Sequence, residues 1–379
     1  DSNGAIKKLQ LTQNAEDGSA KIWPQTFKIG LVYSDSTHVI TAAIIDEELV
    51  LEEATGLPKP QQIIYNYDGM GYGIFPQQES VLQSIAQIPD AVARGYSYIN
   101  THENLLNAGL DPLSVFELYK EGLTTEENAL ILRRISGQTQ NLFWTYLSDM
   151  QRESHQQELE DLVYAQLQKD LPATIKKTLF GLFESIAYSE SGKKRLYAIW
   201  NKETKIDALK LNEDDYTGMA MQLALFGHHK TEEILQKAAT EISNPDKKRR
   251  FQYLQPALAA DERTRDAFMS NLKEAKNREK ESWVLSALGY INHPLRQESG
   301  VKHLKMSLEL LEEIQLTGDI FFPKNWLNAT VGRYTSEEAY QIRETFLEAN
   351  PDLNQVLKNK LYQATDDLDR LHQRHSKIK

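Results

Sequence analysis

Residues 57–76 read LPKPQQIIYNYDGMGYGIFP, and the hydrophobic pattern has a different period on either side of this stretch. Pro58 and Pro60 hold its start extended, because proline fixes φ and biases the preceding residue away from helix. Ile63, Ile64, Tyr65 and Tyr67 form a β-branched and aromatic run of the kind that packs well in a strand. Asn66, Asp68, Gly69 and Gly71 bring turn chemistry, since asparagine and glycine tolerate positive φ. Tyr72, Ile74 and Phe75 resume a strand-like run that Pro76 stops. The stretch predicts a hairpin or a tight strand bend at a domain border. A glycine-rich turn cradles phosphate when a helix begins directly after it; a strand-like run follows here, which argues against that use.

Everything before the stretch reads as strand. Phe27, Ile29, Leu31 and Tyr33 alternate with period two, the mark of a strand with one buried face. Ile6 to Leu11, Val39 to Ile45 and Leu49 to Leu51 add short strands, separated by turn clusters at Asn14–Ser19 and Ser34–Thr37. Five to seven such strands predict a small β-sandwich. From Gln78 onward the period is 3.6. Leu179, Leu182, Phe183 and Ile186 share one helix face, as do Leu357, Leu361, Ala364, Leu368 and Leu371. Asp111-Pro112, Asn244-Pro245 and Asn350-Pro351 place a capping residue before a proline at the first helical position. Thr124–Glu127 and Thr335–Glu338 fit the capping box. Roughly fourteen to sixteen helices are expected, joined by short loops. The fold class is therefore α+β multidomain: a small N-terminal β-sandwich over residues 1–77, then a large all-α superhelix over 78–379, an irregular HEAT/armadillo-like solenoid with a concave face.

Composition narrows the function. A chain of 379 residues with 40% hydrophobic and 26% charged residues is ordinary for a globular protein. No apolar run approaches the ~20 residues of a membrane helix. A net charge of −11 disfavours nucleic acid as a partner. The chain lacks cysteine, which removes disulfides and thiolate metal sites. No targeting segment is visible, so the expectation is a soluble protein, cytoplasmic or in a bacterial periplasm or cell envelope. The first residue is Asp1 rather than methionine, and a chain processed or cut from something longer is expected.

A catalytic zinc site on a helix needs two histidines one turn apart around a general-base glutamate, H-E-x-x-H. His102-Glu103 begins HENLL, with Leu106 where the second histidine should be. His155 and Glu158 share a face, as do His372 and His375, without an evident third ligand; His228 and His229 diverge. The paired carboxylates, such as Asp214-Asp215 and Glu312-Glu313, are adjacent and do not face each other on a helix. Lys247 to Arg250 is a basic run that reads as a solvated face, with an anion site as the sharper alternative. No G-x-S-x-G elbow or Walker loop occurs.

Trp23-Pro24, then Asn66 with the glycines and Tyr72, then Asp90 and Arg94 of DAVARGYSYI, followed by a long α-region, resemble the C-terminal half of zinc aminopeptidases of the aminopeptidase N family, including the endoplasmic-reticulum aminopeptidases. That family runs from a β-domain through a thermolysin-like catalytic domain and a small β-sandwich to a helical superhelix, so the likeness covers the whole chain. Many relatives carry Arg-Val where this chain has Gly73-Ile74, and an interaction of that arginine is not carried over. The resemblance implies that the zinc ligands, the general base and the amine-holding G-x-M-E-N segment lie in a catalytic domain preceding Asp1. This chain would then hold no cofactor and be inactive alone, with zinc in the missing domain. Its partners would be that catalytic domain of the same polypeptide and a peptide substrate, for which it would form the lid and wall. The alternative is a free-standing helical scaffold that binds another protein; carboxylate chemistry on the concave face is a third reading.

A peptide held by its amine at a distant zinc would turn its carboxylate toward this chain. The segment FFPKNWLNATVGRYTSEE carries the candidate substrate-binding residues Lys324, Arg333 and Tyr334, beside Phe321, Phe322 and Trp326. Arginine captures a carboxylate bidentately. The plainer expectation for Arg333 is a surface ion pair with Glu337 or Glu338.

Overall fold

The computed structural model describes residues 4–378, with side chains described through Arg374. Five strands precede the helices: β1 (Gln10–Thr12), β2 (Gln25–Val32), β3 (Thr37–Ile44), β4 (Glu48–Val50) and β5 (Gln62–Ile64). They form two sheets, β1 with β4 and the antiparallel order β3-β2-β5. The period-two reading of β2 is borne out: Phe27, Ile29 and Leu31 are buried, and Phe27 and Ile29 stand opposite Ala42 and Ile40 of β3. Ile44, Leu51 and Ala54 complete that core, and Leu9, Leu11 and Leu49 of the two-stranded sheet pack against it. The chain is thus an N-terminal β region of two sheets followed by helices.

The stretch after β5 is a closed loop rather than a hairpin. Asn66 adopts φ 55° and Gly69 φ 69°. The Asn66 amide then closes the loop, accepting from Gly71 N at 2.6 Å and donating to Gly71 O at 2.8 Å. Gln25 does the same for Tyr72, donating to its carbonyl and accepting from its N–H. Side chains satisfy the backbone groups that a second strand would have used, so no ladder is needed. A Cβ on Gly71 would come within 2.9 Å of the Phe75 ring, so this turn needs glycine. Phe75 closes on Phe27 with ring centroids 5.0 Å apart, while Tyr72 and Ile74 stay exposed.

Element type changes between Ile64 and Glu79, but compactness divides the chain elsewhere, into units 1–138 and 139–379. The first helices belong with the sheets for a visible reason. Asn100, in the helix Ala91–Leu106, accepts from Phe75 N and donates to Phe75 O, both at 3.0 Å, and Asn104 donates to the same carbonyl. Arg94 of that helix grips Glu126, which ends the helix Pro112–Thr125.

The second unit is helical throughout its described residues. Helix Asp149–Leu167 packs on Ala173–Ile186, Glu213–Leu225 on Thr231–Glu241, Pro245–Leu258 on Glu281–Ile291, and Phe322–Ala329 on Gln355–Ala364. Asp111 and Asn244 cap the helices expected of them. Asn350 instead ends the helix Glu337–Ala349, and Asn354 caps the next, because Pro351 opens a turn. Thr124 and Thr125 lie inside a helix, with Asn128 accepting from Leu130 N, and Ser336 rather than Thr335 caps Glu337–Ala349.

Candidate functional site

The three residues expected to meet a peptide separate. Lys324 is half-buried on the helix Phe322–Ala329. Tyr334 faces the core, 1% exposed, and donates to Asn292 Oδ1 at 2.7 Å. Asn292 in turn donates to Leu288 O and Ala329 O, so the Tyr334 hydroxyl is a structural strut. Arg333 ends the short turn Val331–Arg333 and keeps surface open to solvent. Neither expected glutamate takes it: His372 and Gln341 engage Glu337, and no ion pair to Arg333 forms among the described residues.

Arg333 is open to water over part of its surface, yet surrounding protein pushes its guanidinium below the ordinary value. One Arg333 nitrogen comes within 3.6 Å of a Cβ position on Gly289. The same region holds His293, pushed down to about 3, first by burial and then by Arg333, Arg296 and Arg152. Two of those cations are engaged: Arg152 donates to Leu147 O and pairs with Asp149, and Arg296 donates to Ala257 O and Leu258 O. His293 Nδ1 accepts from Leu295 N at 3.3 Å, which puts the neutral ring's proton on Nε2.

Aromatic rings run on from His293. Trp144 meets it edge-on at 4.6 Å, Tyr188 lies 5.3 Å from Trp144, and Phe226 lies 6.0 Å from Tyr188. Glu184 lies in the last turn of the helix Ala173–Ile186, and burial pushes its carboxyl up to about 7, with Asp215 adding to the rise and Lys177 opposing it. Glu184 has no hydrogen-bond or ion-pair partner among the described residues. It faces Gly218, where a Cβ would lie 3.1 Å from its Oε1. Tyr290 feels the charges of both Glu184 and Arg250 and points its hydroxyl at Met221 Sδ, 3.5 Å away. Among the described residues of the second unit, Arg333 and Glu184 thus have no ion-pair partner, and the rings of Trp144, Tyr188 and Phe226 run on from His293. Glu184, Tyr188, Tyr290 and His293 belong to no motif; the available signal was a lone acid in the apolar run LFGLFESIAY.

Other candidates are engaged elsewhere. His102 is nearly buried, its Nδ1 3.1 Å from the Tyr119 hydroxyl, and burial with Arg134 pushes it down to about 4. His228 stacks between Tyr197 and His229. His372 stacks on Tyr340; the side chain of His375 lies outside the described residues. In the basic run Lys247 pairs with Asp214, Arg249 with Asp246, and Arg250 donates to Ser286. A cleft of about 510 Å³ beside Trp200 and Tyr216 is lined by Lys202, Glu213 and Glu241, which have partners in each other or in Ser243. No group of three or more histidine or carboxylate side chains that could hold a metal occurs among the described residues.

Over 98% of its length the chain superposes on 48% of the crystal structure of Legionella pneumophila aminopeptidase A in complex with aspartic acid, with a TM-score of 0.52 and 12% identity. The chain thus spans about half the length of that structure, and at this identity the likeness is one of fold. No protein-family model and no curated protein matches the sequence.

Proposed function

We propose that this chain is the non-catalytic C-terminal part of a zinc aminopeptidase of the aminopeptidase N type, and that its second unit receives the carboxyl end of a peptide substrate. The observation that carries the reading is the fold likeness to an aminopeptidase along nearly the whole chain. The chain's own donors do not fit a catalytic zinc: Leu106 occupies the second ligand position after His102-Glu103, and His102 contacts Tyr119. Zinc and the hydrolytic step are therefore assigned to a separate catalytic domain. The role of this chain is to bind and orient. Arg333 has the chemistry for a carboxylate: a guanidinium without an acidic partner, in surroundings that strengthen a charge-assisted hydrogen bond.

The test is peptide binding by the chain itself, comparing one sequence with a free and an amidated C-terminus. The free acid is expected to bind at least about tenfold more tightly, and Arg333→Ala to remove that difference while leaving the amide's affinity in place. Equal affinity for acid and amide, or no binding of either, overturns the reading. With the chain alone, no release of an N-terminal residue from a fluorogenic substrate is expected; chelator-sensitive release would place the chemistry here instead.

A further inference from the structure

We propose that the first unit carries a docking site for an acidic, extended segment of a second protein, which adds a strand at the open edge of β5. The inference concerns the first unit alone and goes beyond the reading of the second. A cavity of about 570 Å³ is lined by residues 4–9, by 59–63 with Tyr65, and by 76–78 with Val81. That volume lies within the ~300–1,000 Å³ range of ligand sites. The cavity borders a change of partner along the chain. Residues 56–59 pair with residues 4–6: Ile6 N donates to Leu57 O, Gly56 N to Ile6 O and Lys59 N to Gly4 O. Past Pro60 the chain leaves that segment, and Gln61 N donates to Val32 O of β2 instead. β5 then ends the sheet order β3-β2-β5, so only one of its edges is paired.

The register identifies the free groups. Tyr33 N donates to Ser36 O, which turns the odd-numbered backbone groups of β2 toward β3 and the even-numbered ones toward β5. Gly30 and Val32 therefore bond their partners Ile64 and Gln62, and the N–H and C=O of Ile63, between them, point away from β2. Neither group has a partner among the described residues. An unpaired edge of this kind accepts an added strand. Charge decides which strand. Lys7, Lys8 and Lys59 line the cavity, all three are exposed, and none has an ion-pair partner among the described residues. No aspartate or glutamate lines it, although the chain carries a net charge of −11. Glu79, the one acid in residues 76–81, accepts from Asp111 N at 2.9 Å. Lysines at a sheet edge guard against stray pairing. The same charges admit a strand bearing carboxylates and reject a basic one. Ile6 and Val81, both half-buried, supply apolar wall for the alternate side chains.

The experiment measures binding of peptides capped at both ends to the full chain. The probe alternates glutamate and valine over about seven residues, and its control carries glutamine for glutamate. The glutamate peptide is expected to bind at least about tenfold more tightly than the glutamine peptide at low salt, and to lose that advantage as salt is raised, since the lysines are exposed. Combining Lys7→Gln, Lys8→Gln and Lys59→Gln should remove the preference. Strand addition itself is read at Ile63, whose amide proton should exchange at least about tenfold more slowly in the complex. Proline in place of the valines keeps the charge and removes N–H groups that would pair, so it should weaken binding at least about tenfold. Equal binding of the glutamate and glutamine peptides, binding that survives the lysine substitutions, an unprotected Ile63 amide or full affinity of the proline peptide overturns the site. A thymidine oligonucleotide of the same charge that binds as tightly marks a general anion surface and overturns it too, as does absence of any binding.

Discussion

Two arginines, one in each unit, show how differently the same side chain is used. Arg94 donates from Nε and Nη2 to the two oxygens of Glu126, at 2.7 and 3.0 Å, and from Nη1 to Ile88 O at 2.6 Å. Nearly every donor has an acceptor, and the Glu126 side chain is 2% exposed. Arg333 keeps surface open to solvent and forms no ion pair among the described residues. Arg94 lies in the segment DAVARGYSYI, and Arg333 lies in no motif. The fold uses the first to tie two helices together and leaves the second without an acidic partner among the described residues.

The comparison breaks if Arg94 can be removed cheaply. Arg94→Ala strands Glu126 in a buried position and should destabilise the first unit by about 3–5 kcal/mol. Adding Glu126→Ala should recover part of that loss, because no uncompensated charge then remains. Amide hydrogen exchange read separately over residues 4–138 and 139–378 checks both the size and the place of the effect. A loss below about 1 kcal/mol would put this pair with ordinary surface ion pairs.

The opposite sign is expected at Glu184. Its carboxyl is raised from an ordinary 4.5 to about 7. The folded protein holds that proton more tightly than the unfolded chain does. Ionisation therefore removes stability progressively as pH rises above 4.5, and the loss is complete above about 7. Glu184→Gln removes a group that folding penalises, so it should stabilise the protein by about 1–3 kcal/mol at about pH 8 and by little at about pH 4. Urea denaturation at the two pH values measures the difference. A destabilised variant at the higher pH would mean that Glu184 has a favourable partner.

These sites differ in how far the sequence exposes them. The β region was legible because Phe27, Ile29 and Leu31 alternate on a strand with one buried face, a pattern that local sequence carries in full. The helices were legible by their 3.6 period, and Asp111-Pro112 and Asn244-Pro245 marked their starts. Of the hairpin and the tight bend expected at Asn66–Phe75, the hairpin does not form, because the backbone partners there are side chains of Gln25 and Asn100, distant in sequence. The unit border at Gln138 was illegible for the same reason: it depends on Phe75 and Asn100 meeting, not on any change of period. Arg333 could be read as a candidate, since a cation beside a helix start and aromatic residues is visible in one segment. Tyr334, its neighbour, could not be sorted from it, because one residue of turn sends one side chain to solvent and the other to Asn292. Tyr188 and His293 come together, on either side of Trp144, only through packing of segments far apart in the chain, and no local pattern encodes that.

The smallest expected effect is the sharpest test of the contrast between the two arginines. Arg333→Ala removes a guanidinium that surrounding protein disfavours and that no carboxylate repays, so global stability near neutral pH should change by no more than about 0.5 kcal/mol. The change should show instead at His293. Burial is the main reason that ring titrates near 3, and Arg333 is the first of three cations that push it further down. Losing Arg333 should raise the His293 pKa but leave it below the ordinary 6.5, since burial and the charges of Arg296 and Arg152 remain. A histidine depressed in the folded state costs stability as pH falls from 6.5 toward the folded value, because the unfolded chain takes the proton first. In Arg333→Ala that acid-side loss should therefore be shallower than in the parent protein. NMR titration of the His293 ring protons, set beside denaturation at about pH 7 and about pH 5, reads both quantities. If stability near neutral pH falls by more than about 1.5 kcal/mol, Arg333 has a structural partner and belongs with Arg94. If His293 does not move, the arginine's charge does not reach that ring, and the surface that would receive a peptide carboxylate has to be sought elsewhere.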